Sequence, residues 1–258
     1  KQLVFFLGHD NVGKTFFFNW YMLCLAVQHN IKWCIWSGEN NSGQLKRDMI
    51  QMISGTFFKE LSLNDIQSWS NYLDQYFDFV DNKKLYKPKD LLEIFRNSDC
   101  NACLIDPYTG LDRGYKWSDN YEFLNECRHF TNSTGKTLYI NSHPTSEAGR
   151  TGNLYPEKHE WAGHLKPPLK DHIEGGKSFL NRTDDMVVLH RLVKHKEMKY
   201  YLMISTEKIK DTDSGGSLTE LNNPILAEFN NGKGYIIGGL DPLREYRTLN
   251  NQKELWKK

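Results

Sequence analysis

No stretch of this sequence approaches the ~20 consecutive apolar residues of a membrane-crossing helix. No basic, apolar, small-residue succession of a secretory leader is visible either, so the reading is a protein of the cytoplasm, with no membrane partner. An excess of one charge is also missing. Lys and Arg number 33 against 32 Asp and Glu, a formal net charge of +1. Without a whole-chain basic field, any hold on nucleic acid has to come from a local groove. Cysteine is sparse and odd in number: five residues, Cys24, Cys34, Cys100, Cys103 and Cys127, at irregular spacing. That excludes a disulfide framework and points to reduced thiols. Cys100 and Cys103 have the C-x-x-C spacing, but no second pair exists to complete a zinc ribbon, so both are read as structural thiols. Internal repeats and low-complexity tracts are absent as well.

What remains is an ordinary globular balance, 258 residues with 39% hydrophobic and 25% charged, enough for one large α/β domain. Leu3–Leu7 is a short apolar run entering a glycine-bearing loop, the pattern of a buried parallel strand. Thr15 to His29 has helical length and is apolar all round, so a well-buried helix is expected. Strands are expected at Ile31–Trp36, Phe77–Val80, Ala102–Asp106, Thr137–Asn141, Met186–His190 and Lys199–Thr206. Helices are expected at Ser42–Ser54, over Leu61–Tyr76 with Ser62 or Asn64 as cap, at Lys89–Arg96 and at Asp119–Ser133. Strands alternating with helices predict a mainly parallel central sheet with helices on both faces, and Glu228–Phe229 with Tyr235–Ile237 predict a C-terminal β-hairpin. Residues 145 to 172 break the pattern and read as a long loop without periodicity. The chain opens at once on a core strand, and the expectation is one domain over 1–258, cut from a longer protein with a missing N-terminal part.

Gly8-His9-Asp10-Asn11-Val12-Gly13-Lys14-Thr15 fits G-x-x-x-x-G-K-[ST] at every fixed position, with a strand before it and a helix after it. The glycines let the backbone curl so that its N–H groups converge on phosphate oxygens, and the following helix adds its positive dipole end. Nucleoside triphosphate, ATP or another, is the expected ligand, held by Gly8, Asp10, Asn11, Val12, Gly13, Lys14, Thr15 and Phe16. Lys14 reaches the β and γ phosphates, and the Thr15 hydroxyl becomes a ligand of Mg²⁺. Asp106 closes an apolar strand and would point into the same crevice, where it holds the Mg²⁺; the plain alternative is an Asp capping a loop before Pro107. Glu39 follows the second strand to the same rim. It is either the group that polarises the attacking water or a surface acid of the loop Ser37–Gly43. His159-Glu160-Trp161-Ala162-Gly163-His164 is not the zinc-protease motif, because its second histidine comes one residue too late.

The order of motifs carries a resemblance. After the phosphate loop come Ser37-Gly38-Glu39-Asn40, Leu104-Ile105-Asp106-Pro107-Tyr108, Asn141-Ser142-His143-Pro144 and Glu174-Gly175-Gly176-Lys177-Ser178. Asp184-Asp185 with His190-Arg191 follows, then Glu207-Lys208-Ile209-Lys210. The set resembles the helicase domain of DnaB-type replicative helicases, in the branch of phage primase-helicases and mitochondrial Twinkle, and covers nearly the whole chain. The resemblance implies a RecA-like fold, a hexameric ring with ATP between subunits, and translocation on single-stranded DNA in a bacterial or phage-infected cell. It implies that Glu39 is the catalytic glutamate and that His143 senses the γ-phosphate. Lys208 and Lys210 match the basic finger given to the neighbouring subunit, with lysine where the family usually has arginine. The resemblance places DNA contacts in the loop 145 to 172 and in Gly175, Gly176, Lys177 and Ser178. In that loop Arg150, Lys158, Lys166 and Lys170 stand beside Tyr155 and Trp161, a mixture suited to tracking a single strand and stacking on its bases; Glu147, Glu157, Glu160 and Asp171 dilute that charge, and the alternative is a plain disordered loop. The rival reading is a RecA-like, ATP-switched DNA-binding accessory of recombination or repair that does not unwind.

Overall fold

The structure, a computed structural model, describes residues 1–114, 116–173, 178–213, 216–219 and 223–250. Among them the strands β1 (Leu3–Leu7), β2 (Trp33–Ser37), β3 (Phe77–Phe79), β4 (Ala102–Asp106), β5 (Thr137–Ser142) and β6 (Asp185–His190) run parallel. β7 (Tyr201–Lys208), β8 (Ile225–Phe229) and β9 (Tyr235–Ile237) continue the sheet antiparallel. These nine strands lie in the order β3-β2-β4-β5-β1-β6-β7-β8-β9. The mainly parallel sheet and the terminal hairpin of β8 and β9 are as expected from the sequence.

β1 is buried at all five positions because both faces of the sheet are covered. Val4 and Phe6 point into a core shared with helices α1 (Lys14–His29) and α2 (Ser42–Ser54). Leu3, Phe5 and Leu7 point into a second core with α4 (Pro88–Asn97), α5 (Trp117–Thr134) and the short α6 (Ser178–Arg182). The apolar girdle of α1 has its reason here. Phe17 and Tyr21 pack on Phe6 of β1, and Trp20 and Phe16 meet the terminal hairpin of the same sheet, with Trp20 5.4 Å from Tyr235 and Phe16 5.4 Å from Phe229 between ring centroids. Helix α3 (Leu63–Leu73) starts at Ser62, not Asn64: Ser62 and Asp65 form a reciprocal capping box. Helix α7 (Arg244–Asn250) has no counterpart in the sequence reading.

Parallel register sets the site. Ser37 pairs with Asp106, Ile105 with Ile140, and Leu7 with Ser142. The carboxyl ends of β2, β4, β5 and β1 therefore stop at one level, and Glu39, Asp106, His143 and Lys14 all stand at or just beyond that end of the strands.

The segment 145–172 is not the structureless loop expected. Three 3₁₀ turns cover Ser146–Gly149, Thr151–Asn153 and Lys170–His172. An isolated bridge joins Leu154 to Leu165, and another joins Pro144 to Ile173. Tyr155 is 7% exposed and packs with Leu192 and Met203, with Trp161 against them. Buried apolar contact supplies the order that periodicity did not announce. All five cysteines are free and buried.

Candidate functional site

Close approach dictates the first glycine of the phosphate loop: a Cβ on Gly8 would stand 2.6 Å from the Leu189 carbonyl of β6. Asn11 (φ 61) and Gly13 (φ 93) take left-handed backbone, which turns the loop back over itself. Gly13 is the N-cap of α1, with no side-chain cap and no acid in the first turn, so the amide end of the helix keeps its positive field for an anion. Lys14 Nζ donates to the carbonyls of Gly8 (2.8 Å) and His9 (2.9 Å). Burial lowers the Lys14 pKa, and the carboxylates of Asp10, Asp106 and Glu39 oppose that shift.

Asp106 is 3% exposed at the tip of β4. Thr15 Oγ1 donates to its Oδ2 at 3.2 Å and Asn141 Nδ2 donates to its Oδ1 at 2.5 Å. Burial raises the Asp106 carboxyl pKa. The Asn141 and Thr15 hydrogen bonds pull it down, Glu39 pushes it up again, and Lys14 lowers it. Asn141 Oδ1 is buried without a partner beside this carboxylate. One hydroxyl, one carboxylate and an orphaned amide oxygen are hard donors of the kind Mg²⁺ takes when waters and phosphates complete its shell. Three carboxylates face one ammonium, so the cleft also has the charge to accept a divalent cation. Thr15 and Asp106 therefore fit the metal role.

Glu39 and His143 meet across the cleft. His143 Nε2 lies 3.7 Å from Glu39 Oε1, and its Nδ1 lies 2.8 Å from Asp10 Oδ1 and 3.4 Å from Lys14 Nζ. One ring nitrogen cannot donate and accept at once. The shorter contact to a carboxylate makes Nδ1 the donor, which leaves the third N–H of Lys14 uncommitted. The loop of Glu39 is braced by Asn82, whose amide donates to the carbonyls of Ser37 and Asn40 at 3.0 Å each. Phosphate loop, Glu39, Asp106 and His143 enclose a cleft of about 780 Å³. Phe16 borders it with its ring packed on Phe229 and Tyr235. Val12 is 2% exposed and belongs to the core, so its side chain is out of a ligand's reach.

The other expected positions lie elsewhere. Lys208 ends β7 and Lys210 follows it two residues on, at the opposite end of the strands from the cleft, since Lys208 pairs with Met186 near the start of β6. Lys208 Nζ donates to the carbonyls of Leu180 (2.6 Å) and Thr183 (2.7 Å), and Lys210 Nζ is 2.9 Å from Asp184. Arg150 and Lys170 are exposed, and Lys166 is half-buried with its carbonyl 3.3 Å from His9 Nε2. Tyr155 corrects the expectation of base stacking: its ring is stacked on His159 at 4.4 Å and buried. Ser178 is 4% exposed at the start of α6. Gly175, Gly176 and Lys177 lie outside the described residues.

Three contributors were missed in the sequence: Asn141 as partner of Asp106, Asn82 as brace, and Arg191, which donates to the Asn11 carbonyl at 2.6 Å. Asn141 had the same signal as Asp106, a polar residue at the end of an apolar parallel strand. Asn82 lies outside any motif, and no sequence signal marks it.

No protein-family model matches the chain, and no curated protein matches it. Solved structures do. The fold is that of RecA-like P-loop ATPase domains, with the mostly parallel sheet and helices described above. Within that class it is similar to one solved ATPase domain with TM-score 0.69 and 12% identity, over 93% of this chain and 85% of that chain. It is similar to a DnaB-like replicative helicase described with its interactions with primase (TM-score 0.70, 12% identity, 91% of this chain) and spans 57% of that chain. A KaiC-like protein of Pyrococcus horikoshii OT3 matches with TM-score 0.56 and 16% identity over 92% of this chain and 88% of that chain. Among the described residues no helix is long and apolar enough to cross a membrane.

Proposed function

We propose that the chain is an ATP-hydrolysing motor domain that works in a ring on single-stranded DNA, as a replicative helicase. The observation that carries the reading is the meeting of Lys14, the Thr15–Asp106 pair, Glu39 and His143 at one end of the strands around one cleft. The phosphate-loop amides and Lys14 bind and neutralise the triphosphate. Thr15 and Asp106 would hold Mg²⁺, which supplies charge neutralisation on the phosphate oxygens when bound. Glu39, 59% exposed and free to reach into the cleft, orients and deprotonates the attacking water. The His143 imidazole, exchanging Asp10 for the γ-phosphate, donates its Nδ1–H there and links it to the segment that follows β5.

Ring assembly, the Lys208 and Lys210 finger and the DNA contacts of Arg150, Lys166, Lys170, Gly175, Gly176, Lys177 and Ser178 belong to this proposal. They are supported by the motif order and by the likeness to a DnaB-like replicative helicase. To act as a finger, Lys210 has to exchange Asp184 for a neighbour's phosphate. The test is phosphate release with and without single-stranded DNA, followed by displacement of a labelled strand from a forked duplex. Stimulation with displacement supports the helicase. Stimulation without displacement supports the ATP-switched accessory, and no stimulation removes both.

A further inference from the structure

Glu39 stands in a short connection. β2 ends at Ser37, and Asn41 caps α2 by accepting from Gln44 N at 2.8 Å, so Gly38, Glu39 and Asn40 alone lie between the strand and the cap. Such a stretch keeps its shape when its backbone groups are tied. Gly38 N donates to the Asp106 carbonyl at 2.9 Å, extending the pairing of β2 with β4. Asn40 N donates to Ser37 Oγ at 3.1 Å. Asn82 Nδ2 donates to the carbonyls of Ser37 and Asn40 at 3.0 Å each. A primary amide has two N–H donors, and here each has its own carbonyl. Those two carbonyls belong to the residues on either side of Gly38 and Glu39, so one planar group spans the apex of the connection and fixes the separation of its ends. Beneath it lies the Trp36 ring, close enough that a Cβ on Gly38 would stand 3.0 Å from it.

Asn82 is itself held. It is half-buried and comes two residues after Val80, whose N donates to the Ile35 carbonyl at 2.8 Å and prolongs the pairing of β3 with β2. It approaches from beyond the outermost strand of the sheet, and it does not line the cleft. We infer that Asn82 is a positioning residue for water activation, acting through Glu39 by holding the backbone on both sides of that carboxylate. This rests on the ATPase reading above and deepens it. A general base works within about 3 Å of the proton it takes, and a misplacement of about 1 Å can cost on the order of 100-fold in rate. The Glu39 side chain is 59% exposed, so its aim depends on where its backbone stands. The grip on phosphate comes from Lys14 and the loop amides, which Asn82 does not touch, so the rate should suffer and the affinity should not.

The experiment measures single-turnover phosphate release from ATP, and affinity for a fluorescent ATP analogue, in the wild type, Asn82→Leu, Glu39→Gln and the double variant. Asn82→Leu removes both donors at nearly constant shape. Its rate is expected to fall about 10- to 100-fold, with affinity within about twofold of wild type. Added to Glu39→Gln, the same change should alter the rate by less than about twofold, because the group that Asn82 positions has gone. A wild-type rate in Asn82→Leu overturns the inference. So does an equal fold-loss in both backgrounds, or a loss of affinity matching the loss of rate, since either marks a brace of the fold alone. Normal turnover in Glu39→Gln overturns the inference together with the reading of the site, and that control tells the two failures apart. Should Asn82→Leu not fold, Asn82→Ala, which leaves room for water at the two carbonyls, is judged by the same outcomes.

Discussion

Asp10 Oδ1 lies 2.8 Å from His143 Nδ1, so an acid of the phosphate loop itself engages the imidazole expected to meet the γ-phosphate. Asp10 is 79% exposed and is the first of the carboxylates opposing the burial of Lys14. It lines the cleft proposed to take the triphosphate, where its charge opposes an anion. Asp10→Asn is expected to tighten nucleotide binding by roughly threefold to tenfold at low salt, with the gain shrinking as salt rises. Equilibrium titration at two ionic strengths checks this; weaker binding in the variant would show that Asp10 assists the ligand.

Asn141 holds the Asp106 carboxylate from the neighbouring strand. Asn141→Leu keeps the strand apolar but leaves Oδ1 of Asp106 without that donor. Groups that orient a metal ligand are worth about 10- to 100-fold in metal affinity. The Mg²⁺ concentration for half-maximal phosphate release should rise by that factor, with little change in nucleotide binding measured without metal. An unchanged Mg²⁺ dependence would take Asn141 out of the site.

Asp184, 2% exposed, accepts from Leu3 N at 2.8 Å, from both terminal nitrogens of Arg128 and from Lys210. Burial alone would raise its pKa; the Arg128, Leu3 and Lys210 hydrogen bonds outweigh it and hold the group at about 2. Arg128→Leu strands a buried charge and should cost about 3–5 kcal/mol in urea unfolding. Lys210→Ala removes a contact from a side chain 63% exposed and should cost under about 1 kcal/mol. Equal costs would mean that Arg128 is not the principal counterion.

His190 is held neutral, its pKa lowered to about 4 by burial and by the nearby His9 against the opposing Leu165 carbonyl. In the unfolded chain it titrates near 6.5. Between those values the unfolded state binds the extra proton, so stability rises with pH. Its contribution is complete above about 6.5 and lost progressively down to about 4, a difference of roughly 3 kcal/mol. In His190→Gln the pH dependence of urea stability over that window should flatten by this amount. A slope identical to wild type would show that other groups carry it.

Much of the fold and of the candidate site was legible because parallel strands buried on both faces announce themselves as apolar runs, and polar residues ending those runs mark the end of the sheet where the cleft lies. Lys14, Thr15, Asp106, Glu39 and His143 were found that way or by motif order, and the structure brings them together. Asn141 bears the same mark and went unused. The segment 145–172 was illegible because its order comes from Tyr155 packing on Leu192 and Met203 and from histidines capping carbonyls, none of which has a period. The engagement of Lys208 by the Leu180 and Thr183 carbonyls depends on where a five-residue helix ends, which local sequence does not set.

Water activation by Glu39 beside the phosphate loop is the central claim. The decisive measurement is the rate of phosphate release from ATP by wild type and Glu39→Gln, with nucleotide affinity measured on the same samples. Affinity within about twofold of wild type and a rate at least about 100-fold lower is the predicted result, the size expected for losing a general base. Turnover at the wild-type rate in a variant that binds ATP normally would contradict it.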